Sequence, residues 1–232
     1  MSISKPEYLR KTAESGAAEL AEASAQDVLG WAARTFGDRM IVASSMQDAV
    51  LVDLAARVHP GVEVLFLETG YHFAETIGTR DAVAQIYDVR IVNAMPEQSV
   101  AEQDASEGPR LFERDPDRCC ALRKVAPLRR VLAGYDAWVT GVRRVDAPSR
   151  ADTPVITWDE RHGLMKINPL AAWTDEDLDR YIAEHDVLVN PLVLAGYPSI
   201  GCWPCTAKPA PGSDPRSGRW PGHAKTECGL HL

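Results

Sequence analysis

Apolar and polar positions alternate in blocks along this chain, and the blocks repeat. Between residues 17 and 36, Leu20, Val28, Leu29, Ala32 and Phe36 recur at roughly helical spacing, with Gly37 as a stop, which predicts one helix. The short apolar run Arg39-Met40-Ile41-Val42-Ala43 reads as a buried parallel strand. Ser44-Ser45-Met46-Gln47 is then expected to turn into a helix from Asp48 to about Val58. The unit repeats, with Val62 to Leu67 as a strand, Glu68-Thr69-Gly70-Tyr71-His72 as a turn, and Phe73 to Ile86 as a helix. Further strands are expected at Val89 to Val92 and at Ala137 to Thr140. Strands that alternate with helices predict an α/β fold built on a doubly wound, Rossmann-like parallel sheet.

The remaining pattern is less regular. Residues 97 to 130 read as mostly helical, with breaks near Gly108-Pro109 and Pro116. Cys119 and Cys120 then fall near the start of the helix that carries Arg123 and Lys124. Pro154 to Thr157 and Leu164 to Ile167 suggest a hairpin. Thr174, followed by Asp175-Glu176-Asp177, is a capped helix start running to about Glu184. From Asn190 onward Pro and Gly are frequent and periodicity fades, so these loops need something other than a core of their own. The expected organisation is a single domain over residues 1–232, with an α/β core at 25–189 and a loop-rich C-terminal tail at 190–232.

Three strand ends offer polar, small or basic groups to one rim of the sheet, where ligands bind in open parallel sheets. They are Ser44-Ser45, Glu68-Thr69-Gly70 and Gly141-Val142-Arg143-Arg144. The serines suit either phosphate at a helix N-terminus or simple capping. The net charge of −8 speaks against a nucleic-acid partner. Residues 110–150 nevertheless hold ten Lys/Arg against five Asp/Glu, which fits either a solvated basic helix face or a pocket for a small anion. No apolar run of membrane-spanning length and no signal-peptide layout is present, so a cytoplasmic protein is expected.

Five cysteines in a reducing compartment point to metal binding or catalysis. Four fall in two pairs, Cys119-Cys120 and the C-x-x-C of Cys202 and Cys205. The C-x-x-C alone suits a redox pair or half of a zinc site. Adjacent cysteines reach two irons of a cluster more easily than two positions on one zinc ion, and four thiolates are the usual complement of an iron–sulfur cluster. The fifth, Cys228, stands near the C-terminus, where a reachable thiol is a candidate nucleophile or redox group.

Taken together, several segments resemble the bacterial assimilatory sulfonucleotide reductases, specifically the iron–sulfur adenylylsulfate (APS) reductases. They are Cys119-Cys120-Ala121-Leu122-Arg123-Lys124-Val125, Gly201-Cys202-Trp203-Pro204-Cys205-Thr206, Arg216-Ser217-Gly218-Arg219-Trp220 and Glu227-Cys228-Gly229-Leu230-His231. The strand-end segments at Ser44, Leu67 and Thr140 match in kind. The resemblance implies an adenine-nucleotide α-hydrolase-like fold and reduction of APS to sulfite and AMP in sulfate assimilation. It implies one 4Fe-4S cluster on Cys119, Cys120, Cys202 and Cys205, and Cys228 as nucleophile forming an S-sulfocysteine. Thioredoxin (or glutaredoxin) would be the electron donor. Substrate contacts are expected from Ser44, Ser45, Glu68, Thr69, Gly70, Lys124, Arg143, Arg144, Arg216, Arg219 and His231. No nucleic-acid or membrane partner is implied, and homo-oligomerisation is left open. The rivals are a 3′-phospho-APS reductase and a zinc-stapled nucleotide-binding module without redox turnover.

Overall fold

The computed structural model describes residues 3–230. Six strands form one sheet in the order β3-β2-β1-β4-β6-β5. They are β1 Met40–Ala43, β2 Val62–Leu67, β3 Val89–Ala94, β4 Ala137–Thr140, β5 Ile156–Asp159 and β6 Leu164–Ile167. All neighbours are parallel except β5, which pairs antiparallel with β6 at the edge as the expected hairpin. The chain starts at the centre, winds out through β2 and β3, then crosses back to β4. That reversal places the carboxyl ends of β1 and β4 side by side, the switch point where such sheets bind ligands.

Alternation along the strands feeds two cores. Met40, Val42, Val64, Phe66, Val139, Met165 and Ile167 face the larger one. Ile41, Leu65, Trp138 and Leu164 face a smaller one, closed by Leu128 and Leu132. Period-two side-chain direction makes this division unavoidable once both faces are covered.

Ten α-helices are described: α1 Lys5–Glu19, α2 Ala25–Phe36, α3 Val50–Val58, α4 Ala74–Ile86, α5 Val100–Glu107, α6 Leu111–Arg114, α7 Pro116–Cys120, α8 Ala126–Leu132, α9 Asp175–His185 and α10 Pro191–Leu194. The single helix expected over 17–36 is in fact two. Ser24 Oγ accepts from the Asp27 N–H at 3.1 Å and starts α2 afresh, while α1 precedes it with Ser4 as its cap. The helix after β1 begins at Val50 rather than Asp48. Asp48 accepts from the Val50 N–H at 3.0 Å, and Met46 takes a left-handed backbone (φ 59°). Ser44 and Ser45 therefore lie in a turn ahead of the helix, not at its N-terminus. α9 carries a full capping box between Thr174 and Asp177.

Beyond Asn190 only short helical turns form, and the segment is tied back by individual contacts. Buried Asn190 donates to the Met46 carbonyl and to Thr76, while Gln47 accepts from the Ile200 N–H. Thr206 and Arg219 form an isolated antiparallel bridge that doubles the chain back on itself. A Cβ at Gly218 would fall on the Ala207 carbonyl oxygen, so only glycine admits this return.

Candidate active site around four cysteines and the C-terminal tail

Asp115 caps α7, its side chain accepting from the Arg118 N–H at 2.9 Å, and Pro116 opens the first turn. Cys119 and Cys120 end that helix, both buried. The chain continues through a wider π turn at Ala121–Val125, in which the Ala126 N–H reaches back to the Ala121 carbonyl. Such turns are rare and re-aim side chains. Here the turn carries Arg123 and Lys124, the latter four residues past Cys120.

Opposite lies the 202–205 turn. Cys119, Cys120, Cys202 and Cys205 line one cavity together with Tyr71, Arg123, Lys124 and Trp220. The turn after β2 packs onto it. Thr69 Oγ1 lies 3.3 Å from Cys202 Sγ, and the Trp203 N–H donates to the Tyr71 carbonyl at 2.8 Å. Arg123 is buried and donates to the Thr69 carbonyl and to Gln103 Oε1 (3.0 Å). Gly70 has a left-handed backbone (φ 75°), and a Cβ there would come within 3.0 Å of that guanidinium. Glu68 accepts from the Gly70 N–H at 2.9 Å. Thr69 and Gly70 thus frame the cysteine cavity, with Glu68 bracing the turn.

The thiols are electrostatically uncomfortable together. Burial, then the neighbouring Cys120, Cys202 and Cys205, push Cys119 up to about 12. Burial and Cys202 and Cys120 push Cys205 up to about 11, against Lys124 and Arg219. Burial raises Cys120 as well, with Lys124 opposing. Lys124 shows the converse. Burial alone would lower it, but Cys202, Cys228 and Cys120 hold it above its ordinary value. Among the described residues no acceptor is paired with its ammonium.

The tail lies down on this cavity. Cys228 is half-buried and close enough to Cys120, Lys124, Arg150 and Arg216 to perturb each of them. Its neighbour Glu227 is buried, with Arg150 Nε and Nη2 donating at 2.9 and 3.0 Å, Arg216 Nη2 at 3.1 Å and Ser149 Oγ at 3.3 Å. Burial alone would push this carboxyl up, but Arg150, Arg216 and Ser149 hold it below its usual range. Lys225 pairs with Asp117, Arg161 Nη1 donates to the Gly229 carbonyl at 2.8 Å, and Leu230 packs on the smaller core. Up to Leu230 the tail is docked at four points.

The arginines divide. Arg143 pairs with Asp146 (2.9 Å) and Asp175 (2.8 Å), and Arg144 donates to the Thr153 carbonyl at 2.9 Å. Arg216 serves Glu227 and the Thr226 carbonyl. Arg219 has no carboxylate partner among the described residues. It donates to Ser199 Oγ and the Ile200 carbonyl, and stacks 4.6 Å above the Trp220 ring. Arg123, Lys124 and Arg219 are thus the cations beside the cavity with no described carboxylate partner, and of these Arg123 is taken up by the Thr69 carbonyl and Gln103. Ser44 Oγ accepts from the Met46 N–H, while Ser45 is exposed at the end of β1. His231 lies outside the described residues. Arg150 and Arg123 carried no assignment from sequence. Arg150 lay within the counted basic stretch, but nothing local marks its partner 77 residues away.

The comparisons follow this geometry. Residues 39–208 match the phosphoadenosine phosphosulfate reductase domain model. A protein named adenosine 5'-phosphosulfate reductase from Rhodococcus opacus is 66% identical, covering 96% of this chain and 94% of that protein. One of the same name from Mycobacteroides abscessus is 67% identical over the same shares, and one from Mycobacterium bovis 61%. Among solved structures, a phosphoadenylyl-sulfate (PAPS) reductase from Candida auris superposes with a TM-score of 0.70 at 32% identity, over 89% of this chain and 99% of that one. An FMN adenylyltransferase from Candida glabrata shares the fold at TM-score 0.57 and 12% identity, over 88% of this chain and 74% of that one. The chain therefore belongs to the sulfonucleotide reductase family, alongside members named adenosine 5'-phosphosulfate reductase.

Proposed function

We infer that this protein reduces adenosine 5'-phosphosulfate to sulfite and AMP in sulfate assimilation, with Cys228 as nucleophile. The observation that carries this reading is the docked tail. It brings the half-buried Cys228 near enough to Lys124 and Cys120 to perturb both, beside a cavity that Lys124 lines with the four other cysteines.

The Cys228 thiolate attacks the sulfur of the sulfo group. A new S–S bond forms, the S–O bond to the phosphate breaks, and AMP leaves with the electron pair. Lys124 and Arg219 offset the charge that gathers on the departing phosphate. A thiolate of thioredoxin then attacks Cys228 Sγ, sulfite leaves, and a mixed disulfide forms that the donor's second thiol resolves. Closing the tail excludes water during the first step, and opening it admits thioredoxin for the second.

Cys119, Cys120, Cys202 and Cys205 fit a 4Fe-4S cluster. All four line one cavity, and their thiols raise one another's pKa, a conflict that positively charged iron relieves. When bound, the cluster would be held by all four thiolates and would tie the 202–205 turn to α7.

The test compares sulfite release from APS and from 3′-phospho-APS with reduced thioredoxin. Release from APS with little from the longer nucleotide supports the reading. The reverse preference assigns the chain to the rival substrate, and no release from either refutes the activity.

A further inference from the structure

The Glu227 carboxylate makes more contacts than any other group on the tail, and none of them is to a nucleophile, a cavity-lining thiol or Lys124. It is the last acid of an alternating charge chain. Asp175 pairs with Arg143, Arg143 with Asp146, Asp146 with Arg150 (3.3 Å), and Arg150 with Glu227, which also takes Arg216. The chain begins at the N-terminus of α9, crosses the turns after β4 and ends one residue before Cys228. Its inner members are well covered, with Arg143, Arg150, Arg216 and Glu227 side chains only 7–17% exposed. A surface ion pair would hold a tail weakly. A bidentate arginine–carboxylate pair in this setting fixes both distance and orientation.

Resting on the reading of Cys228 as nucleophile, we propose that Glu227 is a positioning residue, locked by Arg150 and Arg216, that fixes the position of the adjoining Cys228 sulfur. The clamp acts on geometry, not on the bond being broken. It gives Arg216 a contact to the tail through Nη2. Arg150 and Arg216 are both paired with Glu227, whereas Lys124 and Arg219 have no described carboxylate partner and are left to the anion.

The experiment uses the full chain with its cluster, and three variants: Glu227→Gln, Arg150→Met and the pair combined. Iron content and circular dichroism confirm that each folds. The first readout is the rate of Cys228 alkylation by iodoacetamide without substrate, followed on the Cys228 peptide by mass spectrometry. The second is kcat and KM. Both single variants should alkylate about tenfold faster or more and lose about 10²-fold in kcat, with a smaller change in KM. The double variant should fall no further than the worse single one, because the same contact is lost once. Glu227→Asp, which keeps the charge on a shorter arm, should recover part of kcat. Unchanged alkylation, or losses that multiply in the double variant, would overturn the clamp. The alkylation arm needs no turnover, so it decides the clamp even if the protein released no sulfite from either nucleotide, a result that would instead refute the proposed function.

Discussion

At the scale of single residues, the site is a contrast between charges that are answered and charges that are not. Glu227 is saturated by two arginines and a serine, whereas Lys124 is half-buried with no described acceptor. The neighbouring thiols favour its charged form, which keeps an ammonium ready to meet an anionic substrate. Lys124→Ala should therefore lower kcat by on the order of 10²–10³ while the protein still folds and holds iron, as measured by sulfite assay and iron content. For Glu227 the sign of the pH dependence follows from its lowered pKa. The native carboxyl titrates below its ordinary 4.5. Its stabilisation is complete above that value and is lost as pH falls through the folded pKa. The gap in urea midpoint between wild type and Glu227→Gln should be constant from pH 6 to about 5 and shrink toward zero below about 4. These details were partly legible in the chain. Two cysteine pairs and a cysteine near the C-terminus mark candidate chemistry by residue type, and the structure brings the two pairs to one cavity. Arg150 carries no such mark, because an arginine's partner is a matter of tertiary geometry.

At the scale of elements, what was readable followed from local pattern. β2 and β4 fall at the expected residues because buried parallel strands are short apolar runs bounded by turn residues. The amino-terminal helices were misread as one, since alanine-rich sequence keeps helical spacing across a break. Ser24 followed by Asp27 was the available start signal, and the structure uses it. What brings α1 and α2 together is less visible. A Cβ on Gly16 would sit 2.7 Å from the Trp31 ring, so the glycine is there for close approach. Gly16→Ala should destabilise the protein by about 1–3 kcal/mol in urea titration and leave kcat unchanged, because this contact lies in the larger core away from the tail. The serine turn after β1 was also expected to open a helix directly. The left-handed Met46 and the Asp48 side chain delay that helix and move the serines off its N-terminus.

For the whole molecule, the sheet and the cysteine-bearing segments are held by different means. The sheet has two apolar cores of its own. Residues after Asn190 contribute few buried apolar groups and depend on point contacts and, on our reading, on the cluster. Removing iron with a chelator should therefore release the tail before the core. Limited proteolysis should cut within 195–230 while far-ultraviolet circular dichroism changes little, and simultaneous loss of both would show that the cluster supports the entire fold. The same division explains why the sheet could be derived from periodicity and the tail could not. Docking at Asp117, Arg150 and Arg161 joins residues 68 to 108 positions apart, and no short window of sequence contains both partners. The account's central claim is that this docked tail delivers Cys228 to the sulfo group. The most direct measurement is peptide mass spectrometry of the enzyme mixed with APS and no reductant. We predict the mass of one sulfo group on the peptide containing Cys228, removed on adding reduced thioredoxin and absent from Cys228→Ser. AMP formation with Cys228 unmodified, or the adduct on another cysteine, would contradict it.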